Sequence, residues 1–173
     1  MDDWRKQIAL AHLVKERVAE LDIQGLWPLH LPEIAATEDQ IRAAEQNIGE
    51  SIDPHYRSFL GYANGWRCLF QTIDLFGTND LVSGDAYKKA SQLLDSLKDL
   101  RSVCGLDASE VLPIAVSQDS IDVMVIGRRS TSRPGEVFWV AGQLIDSFPG
   151  FDEFFLAMVD YNREEAKAFE QQQ

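Results

Sequence analysis

The chain has 173 residues, 45% of them hydrophobic and 10% aromatic, which is enough for a single domain that folds without staples. Its formal net charge of −12 and its pI near 4.6 exclude nucleic acid as the main partner, because phosphate binding takes a basic face, and they suit a basic protein partner. Two isolated cysteines, Cys68 and Cys104, without a CxxC spacing or a neighbouring histidine, exclude a disulfide framework and a zinc site and fit free thiols in a reducing cytoplasm.

The opening MDDWRKQIALAHLVKERVAELD mixes charges at every turn, unlike a leader peptide. No apolar run approaches the ~20 residues that cross a bilayer. The expectation is a soluble, cytoplasmic protein with no membrane contact. Trp4, Ile8, Ala11, Val14, Val18 and Leu21 recur at three and four, which predicts a helix over 4–21 with Asp2 and Asp3 at its positive end. QGLWPLHLPEI follows, where Pro28 and Pro32 forbid a continuous helix. Its Trp27, Leu29, Leu31 and Ile34 predict a linker that lies against the domain. Residues 1–31 therefore read as a helix and aromatic linker packed on a core domain over 32–173.

Thr37 and Gln40 form a capping box for a second helix with Ile41, Ala44 and Ile48 inward and Gly49 as its stop. Asp53-Pro54 starts a third, carrying Tyr56, Phe59, Leu60 and Ala63, with Asn64-Gly65 expected to end it. LFQTIDLF (69–76) reads as one strand and Gly77-Thr78-Asn79-Asp80 as a turn or loop. A fourth helix is predicted over 85–103, ended by Gly105. VLPIAVS (111–117), IDVMVIG (121–127) and EVFWVAG (136–142) read as antiparallel strands, and LIDSF (144–148) as a short strand or an exit turn. A last helix is expected over 151–169, with a polar end that frays. Without strand-helix alternation a doubly wound parallel sheet is excluded.

Catalytic chemistry finds no foothold. His12, His30 and His55 share no metal-like spacing, and neither a nucleophile elbow nor a phosphate-cradling glycine loop is present. Asp119 and Asp122 flank a turn, whose chemistry explains them. Arg128, Arg129 and Arg133 surround Ser130-Thr131-Ser132 and read as a solvated hairpin tip. Acids gather in two places: Glu38, Asp39, Glu45, Glu50 and Asp53, then Asp146, Asp152, Glu153, Asp160, Glu164, Glu165 and Glu170. Charge runs are usually solvated helix faces. These two are nevertheless the candidate docking surfaces. Phe138 and Trp139, neighbours in a strand, must point to opposite faces, so one of them is covered by a helix or exposed as an anchor.

The ordered set in ATEDQIRAAEQNIGESIDPHYRSFLGYANGW, followed by Leu75-Phe76-Gly77, resembles the SUKH superfamily of cell-wall-regulator-like and bacterial immunity domains. The motif residues carried over are Thr37, Gly49, Asp53-Pro54, Tyr56, Phe59 and Asn64-Gly65, and VLPIAVSQDSIDVMVIG looks like the family's paired strands. Trp66 stands where the family often has a second glycine. The resemblance implies an α+β fold with a curved, mainly antiparallel sheet packed by helices. It also implies a binding role without catalysis, and the residues call for no metal and no cofactor. The reading is an immunity protein that neutralises a toxin domain, with a regulatory or scaffold adaptor as the alternative. The expected partner is a protein, a basic toxin domain in the first reading. Glu38, Asp39, Glu45, Glu50, Trp66, Asp146, Asp152 and Glu153 are the partner-binding candidates. Trp66 is expected first as a core plug, and second as the lining of a partner cleft.

Overall fold

A computed structural model describes residues 3–172. Helix α1 (Trp4–Leu21) has the predicted bounds. Asp3 caps it by accepting from the Lys6 N–H, while Asp2 lies outside the described residues. Helix α2 (Glu38–Ile48) carries the full Thr37/Gln40 capping box and stops at Gly49 with φ +80°. Helix α3 (Pro54–Leu60) is capped by the Asp53 carboxylate, which accepts from the His55 and Tyr56 N–H groups.

Six strands follow among the described residues: β1 (Trp66–Phe70), β2 (Ile73–Leu75), β3 (Val111–Ser117), β4 (Val123–Gly127), β5 (Val137–Val140) and β6 (Leu144–Phe148). They form one open antiparallel sheet whose spatial order is the chain order. The helices α4 (Thr78–Val82), α5 (Asp85–Ser96) and α6 (Leu100–Cys104) lie between β2 and β3, and α7 (Phe151–Gln171) closes the chain. The fold is α+β, as the resemblance implied. Strands β3, β4 and β5 are buried along their whole length, so both faces at the centre of the sheet are covered. Helix α5 packs on β3 and β4, while α7, with α1 against it, packs on β1 and β6. Trp4, Phe59, Phe151 and Phe155 interlock with ring centroids 5.3–5.8 Å apart, so α1, α3 and α7 share one aromatic core.

Several local expectations are corrected. Residues 69–76 are not one strand: Gln71, at φ +51°, turns the chain into a hairpin between β1 and β2. Helix α3 ends at Leu60, before Asn64-Gly65. The loop expected at 77–80 is the start of α4, where Asp80 accepts from the Gly77 N–H at 2.9 Å. The helix expected over 85–103 is two helices, because Leu97 turns extended and Asp99 caps a new start through the Ser102 N–H. The polar end of α7 stays helical to Gln171. Arg17 holds Glu170 at 2.8 Å, and Ala166 and Phe169 pack with Val18, Leu21 and Trp27.

The linker does lie against the domain, through fewer side chains than expected. Trp27 docks by donating to Glu165 at 2.5 Å, and its own N–H reaches Asp22. Leu29, Leu31 and Ile34 stay exposed. There the backbone makes the contact: Glu33 donates to the Gly65 carbonyl, Asn64 to that of Ile34, and Ala36 to that of Leu60.

Candidate partner-binding surface

The residues that carry the resemblance build a clasp between the α3–β1 and β2–α4 turns. The Asn64 side chain accepts from the Thr78 N–H at 2.7 Å and donates to the Thr78 hydroxyl at 3.0 Å, so it caps α4 from a distance. Gly65, at φ +92°, lies against the Leu75 carbonyl and the Gly77 N–H, and a Cβ on Gly77 would meet the Asn64 carbonyl oxygen at 2.1 Å. Neither glycine has room for a side chain. Tyr56, fully buried, donates to the Phe76 carbonyl at 2.7 Å and stacks on Phe151. Burial pushes its phenol well above the ordinary value. Trp66 is 0% exposed and donates to the His30 carbonyl at 2.9 Å, which makes it the expected core plug. Beside it lies an open groove of about 570 Å³, lined by Glu33, Asp74, Asp80 and Asp85 against Arg67.

The first acidic candidates are largely bound within the chain. Arg57 joins Glu38 at 2.6 Å and Glu45 at 2.9 Å, and Glu45 also accepts from the Ile52 N–H. Those two carboxylates raise the Arg57 guanidinium, and Arg57 in turn holds Glu38 below the ordinary carboxylate range. Glu50 pairs with Arg128 at 2.8 Å. Asp39 is exposed on the first turn of α2. The second group sits at the far edge of the sheet. Asp146 on β6 accepts from the Tyr161 hydroxyl at 2.8 Å. Asp152 and Glu153 are neighbours on the first turn of α7, with His55 4.0 Å from Asp152. The adjoining Asp152 carboxyl raises Glu153; burial works against Asp152, but its neighbours, Glu153 and His55 among them, outweigh that and lower it. Asp146 thus lies on β6 beside Tyr161, Asp152 and Glu153 lie at the start of α7 near His55, and Glu38, Asp39, Glu45 and Glu50 lie on and just after α2.

The basic loop is solvated at Arg129, Ser130 and Ser132, but Arg128 and Arg133 are held by the fold. Arg128 donates to Glu50 and to the Ile48 and Val111 carbonyls. Arg133 pairs with Glu136, donates to the Cys104 carbonyl and lies 4.8 Å over the Phe138 ring. Phe138 and Trp139 are both buried, Trp139 edge-on to Tyr161 of α7. Asp119 accepts from Thr72 and Ser117, and Asp122 accepts from Trp139. These are structural roles within turns and strands. No three histidine, cysteine, aspartate or glutamate side chains gather as a metal site among the described residues. No described helix is long and apolar enough to cross a membrane.

Two polar residues escaped the sequence reading. Lys15 is 5% exposed and donates to the Cys68 carbonyl, and Asn162, 4% exposed, donates to the Leu69 carbonyl at 2.9 Å. Burial lowers the Lys15 ammonium to about 8. The signal was present: Lys15 sits four residues after Ala11 and three before Val18, on the apolar stripe. Asn162 follows Met158 and Val159 in the same way.

An open antiparallel meander with helices on its faces and a glycine clasp between the α3–β1 and β2–α4 turns defines the class of α+β domain. The sequence profile of the SMI1 / KNR4 family (SUKH-1) matches residues 35–157, and the chain belongs to that family. A comparison with curated proteins finds no match.

Proposed function

We propose that this chain is a non-catalytic protein-binding domain, an immunity protein that neutralises a cognate toxin by direct binding. Family membership carries the reading. The surface supports it, because the −12 charge is not cancelled internally. Arg57 and Arg128 neutralise part of the α2 face, whereas Asp146 stands on an edge strand, Asp152 and Glu153 open α7, and Glu33, Asp74, Asp80 and Asp85 line the groove. Such a field speeds association with a basic partner and rejects acidic ones.

The test is retention from native cells on the tagged full chain at low salt. One stoichiometric partner with a toxin-like domain, encoded by the adjoining gene and released as salt rises, is the expected result. Several substoichiometric cellular proteins would overturn it in favour of a regulatory adaptor.

A further inference from the structure

The geometry points to the outer edge of β6 as a docking site for an extended, positively charged segment of a protein partner, which would add to the sheet as a seventh strand. This rests on the protein-binding reading above and names the surface and the mode. β6 ends the sheet, and no described strand pairs with its outer side. Leu144 and Ile145 are 42% and 44% exposed, and Ser147 is exposed as well. Register on β5 passes from Val140↔Leu144 to Trp139↔Asp146, so Ile145 is the extra residue of a bulge and has no partner there. Ser147 turns its N–H to the Asp146 carboxylate at 2.8 Å. With that N–H occupied, the strand offers the unpaired bulge residue Ile145 and the apolar side chains of Leu144 and Ile145 at an accessible edge, where strand addition takes place.

Charge selects the occupant. The bulge and Asp146 are devices that keep sheet edges from pairing indiscriminately. Asp146 is the only charge on β6, and α7 beside it carries Asp152, Glu153 and Asp160, with Arg163 already bound to Asp160. A second copy added edge to edge would set these acids against their own duplicates, and like charges across a strand pair destabilise it. A strand bearing lysine or arginine meets the same field favourably.

The probe is a capped octapeptide of alternating lysine and valine, added at low salt to the full chain, with backbone amide shifts and hydrogen exchange followed by NMR. Slowed exchange at Ile145 and shifts at Leu144 and Ile145 are expected, weakening as salt rises. A control peptide methylated on alternate backbone nitrogens keeps charge and side chains but cannot pair, and should bind at least about fivefold more weakly, the worth of one hydrogen bond. Ile145→Lys should weaken the peptide similarly while the fold, checked by urea unfolding, is kept. Equal binding of the methylated peptide, protection confined elsewhere, or no shift at millimolar peptide overturns the proposal. So does a concentration-dependent dimer of the chain alone with β6 protected. If the peptide fails while the native retention experiment yields one toxin-like partner, the immunity reading stands and only this mode falls.

Discussion

The two edges of the sheet are finished in different ways. At β1 the helices reach over and close the edge: Lys15 of α1 takes the Cys68 carbonyl and Asn162 of α7 takes that of Leu69. The 30–36 segment runs alongside, accepting from the Trp66 indole and bonding to residues 60–65. At β6 the outer side carries no described strand, and two large apolar side chains are partly exposed to solvent. A buried carbonyl without a donor is costly, so a strand hidden under helices needs polar side chains from those helices. A strand left in water does not. The contrast separates residues kept for stability from residues that the fold does not require.

Breaking the closed side should cost most. At Gly77 a Cβ would sit 2.1 Å from the Asn64 carbonyl oxygen, backbone against backbone, with no flexible side chain to yield. Gly77→Ala is expected to destabilise by about 3 kcal/mol or more, read as a lower urea midpoint. Asn162→Leu comes next. It keeps the volume but strands the Leu69 carbonyl, for an expected loss of about 2 kcal/mol in the same assay.

Lys15 gives a smaller effect with a pH signature. Its folded ammonium loses the proton near pH 8, against 10.5 for the ordinary side chain. Between those values the unfolded chain binds more protons than the folded one, so this group's contribution to stability rises with pH; below about 8 both states are protonated and it is flat. The stability of the native chain minus that of Lys15→Met should therefore climb from pH 8 to 10, at no more than about 1.4 kcal/mol per pH unit. A difference that is flat over that range would mean that Lys15 is not desolvated, and the closed edge would lose one of its two closures.

Much of the closed side was legible, because its signals are local. The Thr37/Gln40 box, Asp53-Pro54 and the Gly49 and Gly105 stops each act within a few residues, and each was read correctly. The β1–β2 hairpin was hidden because Gln71-Thr72 is not turn chemistry: the left-handed conformation at Gln71 is imposed by pairing, and the period-two pattern runs through it unbroken. The break at residues 97–99 was hidden because Leu93, Leu97 and Leu100 keep helical spacing across it. For the candidate site, acidity was legible and its neutralisation was not. Glu38 meets Arg57 across 19 residues and Glu50 meets Arg128 across 78, and no periodicity reports such pairs. The same limit hid which end of the meander would stay open.

The smallest expected effect is the one on which the comparison turns. Ile145 is 44% exposed, has no register partner on β5, and lies beside a strand that is held from its other side. Little apolar surface is buried there, so Ile145→Ser should shift unfolding by no more than about 0.5 kcal/mol. The fully buried Ile114 of β3, changed only to valine, should cost about 1 kcal/mol. A gentler change would then cost more than a harsher one, and the sign of that inversion reports the role of the edge. Were Ile145→Ser to cost 2 kcal/mol, the residue would be holding the fold, β6 would be as closed as β1, and its apolar face would need no partner to explain it.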